Sequence, residues 1–346
     1  MDKSVVFAVA GSGKTTKIVQ QLDEKRRYLL ITYTDANRDN LRRKILERFG
    51  NFPTNIKLLS YFKFLHSFCY RPFLRSEKNT RGLLFTLPPV KDRYALTDDR
   101  RFMSATRRLY SNRLAKFVEQ TGTVPPVVAR LEKYFDAVYV DEIQDFAGHD
   151  FNLLLKLVPA KVEFLFVGDF YQHTYDTSRD GSINNTLHDD YKTYRSRFKA
   201  AGMRVDLESL KASRRCSKNV CDFISEKIGI AVDSSGERIS TVRFEDNQHA
   251  VEAIYADNAI VKLFYQEHYK YGCYSENWGA SKGLDHFNDV CIVLSAPNVK
   301  AWKNDTLKAI NPGTKNKLYV ACSRARGDLT FVPEALLKKY KKTACA

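Results

Sequence analysis

The residues best suited to chemistry lie near the start of the chain, where Ala8 to Thr15 read A-V-A-G-S-G-K-T. Binding a polyphosphate requires inward-pointing backbone N–H groups, a lysine that reaches the β- and γ-phosphates, and a hydroxyl for Mg²⁺ at a helix start. Gly11 and Gly13 permit the loop conformation. Lys14 and Thr15 supply the ammonium and the hydroxyl. The segment therefore predicts a nucleoside-triphosphate site, with a small-residue turn between strand and helix as the alternative.

A pair of acids follows an apolar run farther along the chain, where the five residues from Asp141 to Asp145 read D-E-I-Q-D. In a phosphate-loop ATPase an aspartate at a strand end holds Mg²⁺ through its water shell, and a following glutamate orients or deprotonates the attacking water. Asp141 and Glu142 suit these two roles. An acidic helix start after a strand is the alternative, and the phosphate loop upstream disfavours it.

Two more side chains suit chemistry at a γ-phosphate. Gln172 follows the apolar run Phe164–Val167 and offers an uncharged amide donor and acceptor to the phosphate or its water. Arg324, near the end of the chain, has the character of an arginine finger, which is worth ~10³–10⁵ in rate elsewhere. A lone arginine is usually a surface residue, so Arg324 gains weight only from the other segments.

Composition limits the class of protein. The chain has 346 residues, enough for about two domains. It carries 56 Lys and Arg against 40 Asp and Glu, a net charge of +16, together with 19 Tyr and 22 Phe. Such an excess favours a polyanionic partner, and aromatic rings stack on bases, so nucleic acid is the leading partner. No apolar run is long enough to span a membrane and the seven cysteines form no metal-binding spacing, so we expect a cytoplasmic protein.

Apolar runs alternate with helical patterns, which predicts an α/β fold with parallel sheets covered on both faces. A first series of strands is followed, after a boundary near residues 200–202, by a second series that begins at Met203–Leu207. We also expect Thr97 to Asp99 to cap a basic helix that carries Arg100, Arg101, Arg107 and Arg108. The predicted strands are Val5–Val9, Tyr28–Thr34, Ile56–Tyr61, Ala137–Asp141, Glu163–Gly168, Met203–Leu207, Ser240–Phe244, Val290–Leu294 and Leu329–Val332.

The order of the motifs resembles a known family. Besides the phosphate loop and Asp141–Asp145, the segments that carry the likeness are Thr32–Ala36, Val167–Tyr175, Leu210–Arg215, Ala280–Asp285 and Val320–Ala325. Together they resemble the UvrD/Rep/PcrA-like helicases of superfamily 1A over most of the chain. The resemblance implies two RecA-like P-loop NTPase domains, ATP and Mg²⁺ bound between them, and single-stranded DNA across their tops.

The resemblance also implies roles for particular residues. Arg215 stands in the position of a second γ-phosphate arginine, and Asp285 in the position of an acid that contacts the nucleotide sugar. Thr16 and Arg214 stand where the family has an arginine and a tyrosine around the base, so we expect weak selectivity among nucleoside triphosphates. The expected catalytic residues are Lys14, Asp141, Glu142, Gln172, Arg215 and Arg324, with Thr15 and Asp141 on the metal. The expected nucleotide-binding residues are Ala10, Gly11, Ser12, Gly13, Lys14, Thr15, Thr16, Arg214, Gly283 and Asp285.

A third set is expected to contact nucleic acid. Its members are Tyr33, Thr34, Ser60, Tyr61, Phe62, Phe64, Tyr175 and Trp278. For Tyr61, Phe62 and Phe64 a place in the core is an equally good interpretation, since aromatic residues at a strand end are usually buried. The same alternative holds for Trp278, which takes over from a family tryptophan replaced by Thr177 here. Stacking and phosphate contacts do not distinguish DNA from RNA, so an RNA partner stays open.

The expected domain organisation places residues 1–64 and 136–201 in the first RecA-like domain and residues 202–346 in the second. Residues 65–135 form a small, mostly helical insertion, and the family's second accessory domain is absent. The leading hypothesis is an ATP-dependent single-stranded DNA translocase or helicase with 3′→5′ polarity. The alternatives are an ATPase switch subunit controlled by a partner in a replication, repair or phage-defence complex, and a strand-binding protein with a degenerate ATPase. The intact catalytic set disfavours the last.

Overall fold

A computed structural model describes residues 1–89, 94–174 and 180–342. The described residues divide into two units. The first comprises residues 1–7, 14–168 and 180–206, and the second comprises residues 8–13, 169–174 and 207–342. The second unit therefore includes most of the phosphate loop and the start of the segment after Gly168, two pieces that the sequence assigned to the first domain.

The first unit is built on a six-stranded parallel sheet in the order β3-β2-β6-β7-β1-β8, and β4 pairs with β5 beside it. Its strands are β1 (Lys3–Phe7), β2 (Tyr28–Thr32), β3 (Ile56–Ser60), β4 (Gly82–Leu84), β5 (Arg108–Tyr110), β6 (Ala137–Asp141), β7 (Glu163–Gly168) and β8 (Arg204–Asp206). Its helices are α1 (Lys14–Gln20), α2 (Asp35–Phe49), α3 (Tyr61–Lys63), α4 (Arg71–Leu74), α5 (Ser111–Gln120), α6 (Val124–Tyr134), α7 (Gly148–Leu157) and α8 (Tyr191–Ala200). A π-helix, Phe64–Tyr70, joins α3 to α4.

The second unit contains a five-stranded parallel sheet in the order β11-β15-β14-β12-β13 and a separate parallel pair, β9 with β10. Its strands are β9 (Ala212–Ser213), β10 (Asp233–Ser234), β11 (Val242–Phe244), β12 (Val261–Phe264), β13 (Ser275–Asn277), β14 (Val290–Leu294) and β15 (Leu329–Pro333). Its helices are α9 (Lys218–Phe223), α10 (Gln248–Ala256), α11 (Ala296–Lys303) and α12 (Pro312–Cys322). A π-helix, Ile224–Ile228, continues α9.

The α/β class with parallel sheets is confirmed. The central strands β2, β6 and β14 are buried along their whole length, which agrees with their near-continuous apolar sequences. Because parallel strands place their carboxyl ends at one edge of a sheet, the segments after β1, β6 and β7 begin at a common edge of the first sheet. None of the helices within the described residues is long and apolar enough to cross a membrane.

Three expectations about the elements need correction. The strand Arg204–Asp206 pairs with β1, so it belongs to the first sheet and the first unit extends past residue 201. The basic segment after Asp98 forms only a short 3₁₀ helix, Asp99–Arg101, before β5 begins at Arg108. Two strands that the sequence did not predict, β12 and β13, complete the second sheet. The short β13 has few apolar residues, which explains why it left no clear sequence signal.

Candidate functional site

The first unit holds the two expected metal ligands and the lysine expected to bind phosphate. Lys14 begins α1 and is almost completely buried. The Thr15 hydroxyl donates a hydrogen bond of 3.0 Å to Oδ2 of Asp141, the last residue of β6. Burial and the nearby charge of Glu142 raise the pKa of Asp141 to about 7, although Lys14 and the Thr15 hydrogen bond act in the opposite direction. The two expected metal ligands are therefore adjacent, and the buried carboxylate is incompletely compensated.

Thr15 and Asp141 suit Mg²⁺, because both offer oxygen donors, which this hard cation prefers. Among the described residues, no group of three or more His, Cys, Asp or Glu side chains is arranged to hold a metal ion. Mg²⁺ commonly binds through one or two carboxylates and keeps water and substrate phosphates as its other ligands. The donor set at the end of β6 therefore fits a nucleotide-bound Mg²⁺.

Glu142 is held in an unusual conformation. Its φ of 55° and ψ of 48° lie in the left-handed region, which is strained for a residue with a side chain. Its backbone N–H donates a hydrogen bond of 3.0 Å to Oδ1 of Asp141, and its carboxylate accepts one from the side-chain amide of Gln144. The side chain of Gln144 packs closely against Gly168. Any larger residue at position 168 would place a Cβ in collision with the side chains of Gln144 and Ile143. Sequence reasoning missed the support that Gln144 gives to Glu142.

The phosphate loop itself, residues 8–13, clusters with the second unit. Gly11 and Gly13 have φ values of 73° and 93°, where glycine carries no steric cost. The carbonyl of Gly11 accepts a hydrogen bond of 3.0 Å from the backbone N–H of Arg214. A Cβ on Gly11 would lie 2.7 Å from Cβ of Arg215 and 2.8 Å from Oγ of Ser213. Gly11 is therefore required for the close packing of the loop against the segment that carries Arg215.

A buried tyrosine links this loop to two other motifs. The backbone N–H of Ala10 donates a hydrogen bond of 2.8 Å to the Tyr319 hydroxyl. That hydroxyl in turn donates one of 2.8 Å to Oδ2 of Asp169. Ser12 is also buried, and its hydroxyl bonds to the carbonyl of Val9. Sequence reasoning missed Tyr319 and Asp169, although a tyrosine within the apolar helix α12 is a signal for a hydrogen-bonded hydroxyl.

The two expected γ-phosphate arginines share one carboxylate in the second unit. Oδ1 of Asp285 accepts from Nη2 of Arg215 at 2.5 Å and from Nη1 of Arg324 at 3.2 Å. The side chain of Arg324 is only 2% exposed, that of Arg215 is 12% exposed, and that of Asp285 is 55% exposed. Burial and the neighbouring charge of Arg215 lower the pKa of Arg324 to about 10, so it stays charged at neutral pH. The structure therefore brings these three residues together.

Four other expected site residues are spread along the chain and differ in environment. Gln172 is buried at the end of a 3₁₀ helix, Phe170–Gln172, in the second unit. Gly283 has a φ of 84° and Arg214 is exposed. Thr16 lies on α1 in the first unit, where its hydroxyl accepts a hydrogen bond of 3.2 Å from Lys44. Their roles toward a nucleotide stay predictions.

The residues expected to contact nucleic acid fall into two groups. Tyr33, Thr34, Ser60 and Phe62 are partly exposed. Tyr61 and Phe64 are completely buried, so in this structure they are core residues and the stacking role expected for them is unavailable. Tyr61 packs edge-on against Phe146, with the ring centroids 4.9 Å apart. Tyr175, which was also expected to contact nucleic acid, lies outside the described residues, as does Thr177.

Trp278 is also a core residue. Its side chain is completely buried, and its indole N–H donates a hydrogen bond of 2.8 Å to the carbonyl of Leu263 on β12. The proposed compensation for a lost stacking tryptophan is therefore unavailable in this structure, and the core interpretation describes Trp278. The sequence could not separate the two because a buried tryptophan with a satisfied N–H and an exposed stacking one have similar local patterns.

The fold and the site together define a class. A parallel sheet whose strand β1 leads into the phosphate loop, and whose strand β6 ends at the acidic pair, is the arrangement of P-loop NTPases. The family models identify the chain further. The model described as an AAA domain matches residues 2–178, and the viral superfamily 1 RNA helicase core domain matches residues 118–333. The chain belongs to the superfamily 1 helicases, in the family of that viral helicase core domain.

Solved structures give more distant likenesses. The helicase nonstructural protein 10 of Arterivirus, solved with DNA, is 16% identical over 95% of this chain, with a TM-score of 0.49. The helicase of PRRSV is 13% identical over 98% of this chain, with a TM-score of 0.48. This chain spans 60% and 54% of the lengths of those two proteins. No curated protein sequence matches it significantly.

Proposed function

We propose that this protein is a nucleic-acid-stimulated ATPase that moves along a single strand, with ATP and Mg²⁺ as its cofactors. The observation that carries the proposal is the hydrogen bond of 3.0 Å between Thr15 and Asp141, which joins the end of the phosphate loop to the acidic pair. Membership of the superfamily 1 helicases supports the same activity. The motor would couple hydrolysis to movement.

The proposed roles follow from charge and position. Mg²⁺, held by Thr15 and Asp141, would neutralise the developing charge on the phosphates. Lys14 would bind the β- and γ-phosphates, and Glu142 would orient and deprotonate the attacking water. The strained backbone and the Gln144 hydrogen bond fix the Glu142 carboxylate, which supports a positioned base. In the second unit, Gln172 would bond the γ-phosphate or its water.

The two arginines of the second unit would complete the charge stabilisation. Arg215 and Arg324 converge on one carboxylate oxygen, so their guanidinium groups already lie close enough to bind a single anion together. Two fixed cations that face the same point suit the charge that spreads over the phosphoryl oxygens in the transition state. This arrangement supports the arginine-finger role proposed for Arg324.

Two kinds of nucleic acid, single-stranded DNA and single-stranded RNA, are candidate substrates of the motor. The motif order supports single-stranded DNA, whereas the family model over residues 118–333 describes RNA helicases and favours single-stranded RNA. The excess of 16 positive charges attracts either polymer. A contact to the 2′-hydroxyl would separate the two. The first experiment should therefore use both a DNA and an RNA single strand.

The test is steady-state ATP hydrolysis with oligo(dT) and oligo(U) of increasing length at fixed salt, with Lys14→Ala as the inactive control. A translocating motor gives stimulation that rises with strand length and then levels off. Preference for one polymer identifies the strand. Hydrolysis that no strand stimulates would overturn the motor and leave a switch controlled by a protein partner. Absence of hydrolysis above the Lys14→Ala control would overturn the enzyme itself.

The direction of movement along the strand tests the more specific assignment to the UvrD/Rep/PcrA-like branch. The UvrD/Rep/PcrA-like resemblance implies 3′→5′ movement, which displacement of streptavidin from biotin at either end of the strand measures. Movement in the opposite direction would contradict that branch and leave membership of superfamily 1 unaffected. Unwinding of a forked duplex then shows whether movement along the strand also separates a duplex.

A further inference from the structure

The inserted segment, residues 65–135, concentrates positive charge. It contains 14 Lys and Arg against 6 Asp and Glu, so a fifth of the chain supplies half of its net charge of +16. Some of these cations are paired, as Lys78 is with Asp99. Arg71, Arg75, Arg81 and Arg108 are exposed, and none forms an ion pair with a described residue. A segment with this charge favours a polyanion as its partner.

One aromatic ring in this segment is conspicuously exposed. Phe85 follows β4, and 68% of its surface is open to solvent. Large apolar side chains at the surface commonly mark a place where something binds, when they adjoin other apolar groups. Phe85 does so, since its ring meets that of Phe62 with centroids 5.3 Å apart and planes at 90°.

Phe62 connects Phe85 to the edge of the first sheet. Phe62 lies just after β3 and is partly exposed. Its ring packs edge-on against Tyr33, which follows β2, with centroids 5.7 Å apart. Tyr33 in turn stacks at 5.8 Å on the buried ring of Tyr61. The exposed rings are therefore anchored on the core, which holds them in place in advance of any ligand.

We propose that Phe62 and Phe85 form a base-stacking step for single-stranded nucleic acid, in which the inserted segment supplies Phe85. The inference rests on the proposed function, because its ligand is the strand on which the motor would move. Two perpendicular rings let a base stack on one ring while its edge meets the other. Exposed cations of the same segment would contact the phosphates, since Arg81 precedes β4 and Arg108 pairs in register with Gly82, three residues before Phe85. Bases of any sequence fit, since each has a π-face.

One experiment can separate the contribution of base stacking to binding affinity from that of the phosphate contacts. Stacking of a base on an aromatic side chain is worth about 1–3 kcal/mol, or about 5–150-fold in affinity. We would measure binding of a labelled oligo(dT) or oligo(U) of about 15 nucleotides, and of an abasic strand of equal length, at fixed salt. Phe85→Ala should weaken binding of the base-containing strand within that range and leave abasic binding nearly unchanged. Phe85→Trp should restore affinity.

Tyr269→Ala provides the matched control, because Tyr269 is 70% exposed but belongs to the second unit. It should leave binding of both strands unchanged. Equal affinities of Phe85→Ala and wild type for the base-containing strand would overturn the stacking step and leave the proposed function standing. Equal losses on both strands would also overturn it, since the effect would then act through phosphates or folding. A wild type that binds neither oligomer would overturn the proposed function and the step together.

Discussion

Each unit buries a charged side chain beside a like charge, and these two buried charges, Asp141 and Arg324, have opposite signs. In the first unit the carboxylate of Asp141 is buried beside another acid, Glu142, whose charge outweighs that of the nearby Lys14. Asp141 accepts hydrogen bonds from two neutral groups, the Thr15 hydroxyl and the Glu142 backbone N–H. In the second unit the guanidinium of Arg324 is buried beside another cation, Arg215, and both share the exposed carboxylate of Asp285. Each buried charge thus lies next to a like charge, which raises its electrostatic cost.

Each of these two arrangements would be stabilised by a ligand of opposite charge. A buried anion with a like-charged neighbour is stabilised when a cation binds, and the donor atoms at Asp141 suit Mg²⁺. Arg215 and Arg324 share the single exposed carboxylate of Asp285. A phosphate carries more negative charge than a carboxylate, so a phosphate that took its place would stabilise the two guanidinium groups. The two arrangements are complementary to the two charged parts of a metal–nucleotide, and each can be tested by removing one charge.

The largest effect is expected from Asp141→Asn, which should abolish Mg²⁺-dependent hydrolysis and yet stabilise the fold. Because burial raises the pKa of Asp141 to about 7, the folded chain keeps this proton between about pH 4 and 7 while the unfolded chain releases it. Stability from this group therefore falls as pH rises through that window. The variant should melt several degrees higher than wild type at about pH 8 with metal removed, with a smaller difference at about pH 5.

Asp136→Asn is the control, with an expected change in Tm of opposite sign, and Asp136 lies immediately before the same strand, β6. The Arg27 hydrogen bonds lower the pKa of Asp136, so this carboxylate stabilises the fold above about pH 4 and its loss should lower Tm slightly. A lower Tm for Asp141→Asn at about pH 8 would contradict the account of an incompletely compensated buried anion.

Arg324→Ala should reduce kcat by about 10³–10⁵ and leave the KM for ATP nearly unchanged, because the arginine would act on charge that develops in the transition state. In contrast with Asp141→Asn, it should also lower Tm, since it removes a buried side chain that bonds Val320 and Asp285. Steady-state kinetics and thermal melting measure both effects. The exposed neighbour Arg326 is the matched control, and near-normal turnover of Arg324→Ala would remove the arginine finger from the mechanism.

The sequence predicted the local structure around the phosphate loop and the acidic pair because the expected chemistry imposes local rules. The loop needs Gly11 and Gly13 for its left-handed backbone, and the acidic residue expected to bind metal, Asp141, comes directly after the buried residues of β6. The adjacency of Thr15 and Asp141 was expected from those rules and is present in the structure. The parallel sheets followed from the apolar strands in the same way.

The aromatic and tertiary contacts could not be predicted. Tyr61 and Phe62 are neighbours in sequence, but one is buried and the other partly exposed, because α3 turns one ring toward Phe146 in the core. The ring of Phe85 contacts that of Phe62 only because of the fold of the segment between them. The hydrogen bonds of Tyr319 join residues more than 140 positions apart, which no local pattern reports.

Asp285→Asn tests the charge arrangement of the second unit and should have a moderate effect. Without the carboxylate, Arg215 and Arg324 lose the counter-charge that competes with an incoming anion, so inorganic triphosphate should bind several-fold more tightly. A sugar contact predicts a different result, with weaker binding of ATP and unchanged binding of triphosphate. Calorimetry with both ligands distinguishes the two roles. Asp305→Asn, which removes an exposed acid paired with Lys227, should change neither affinity.

The smallest effect is expected from Tyr319→Phe, which removes only the hydroxyl between Ala10 and Asp169. The buried N–H of Ala10 then loses this acceptor, at a cost of about 1–3 kcal/mol. Tm should fall by about 2–4 °C per kcal/mol for a unit of this size. The KM for ATP should rise a few-fold because the phosphate loop is less well held, whereas kcat should change little, in contrast with Arg324→Ala. Tyr265→Phe, whose hydroxyl makes only a contact of 3.4 Å with Thr314, is the control. A lower kcat at unchanged KM would instead give the Tyr319 hydroxyl a part in the hydrolytic step.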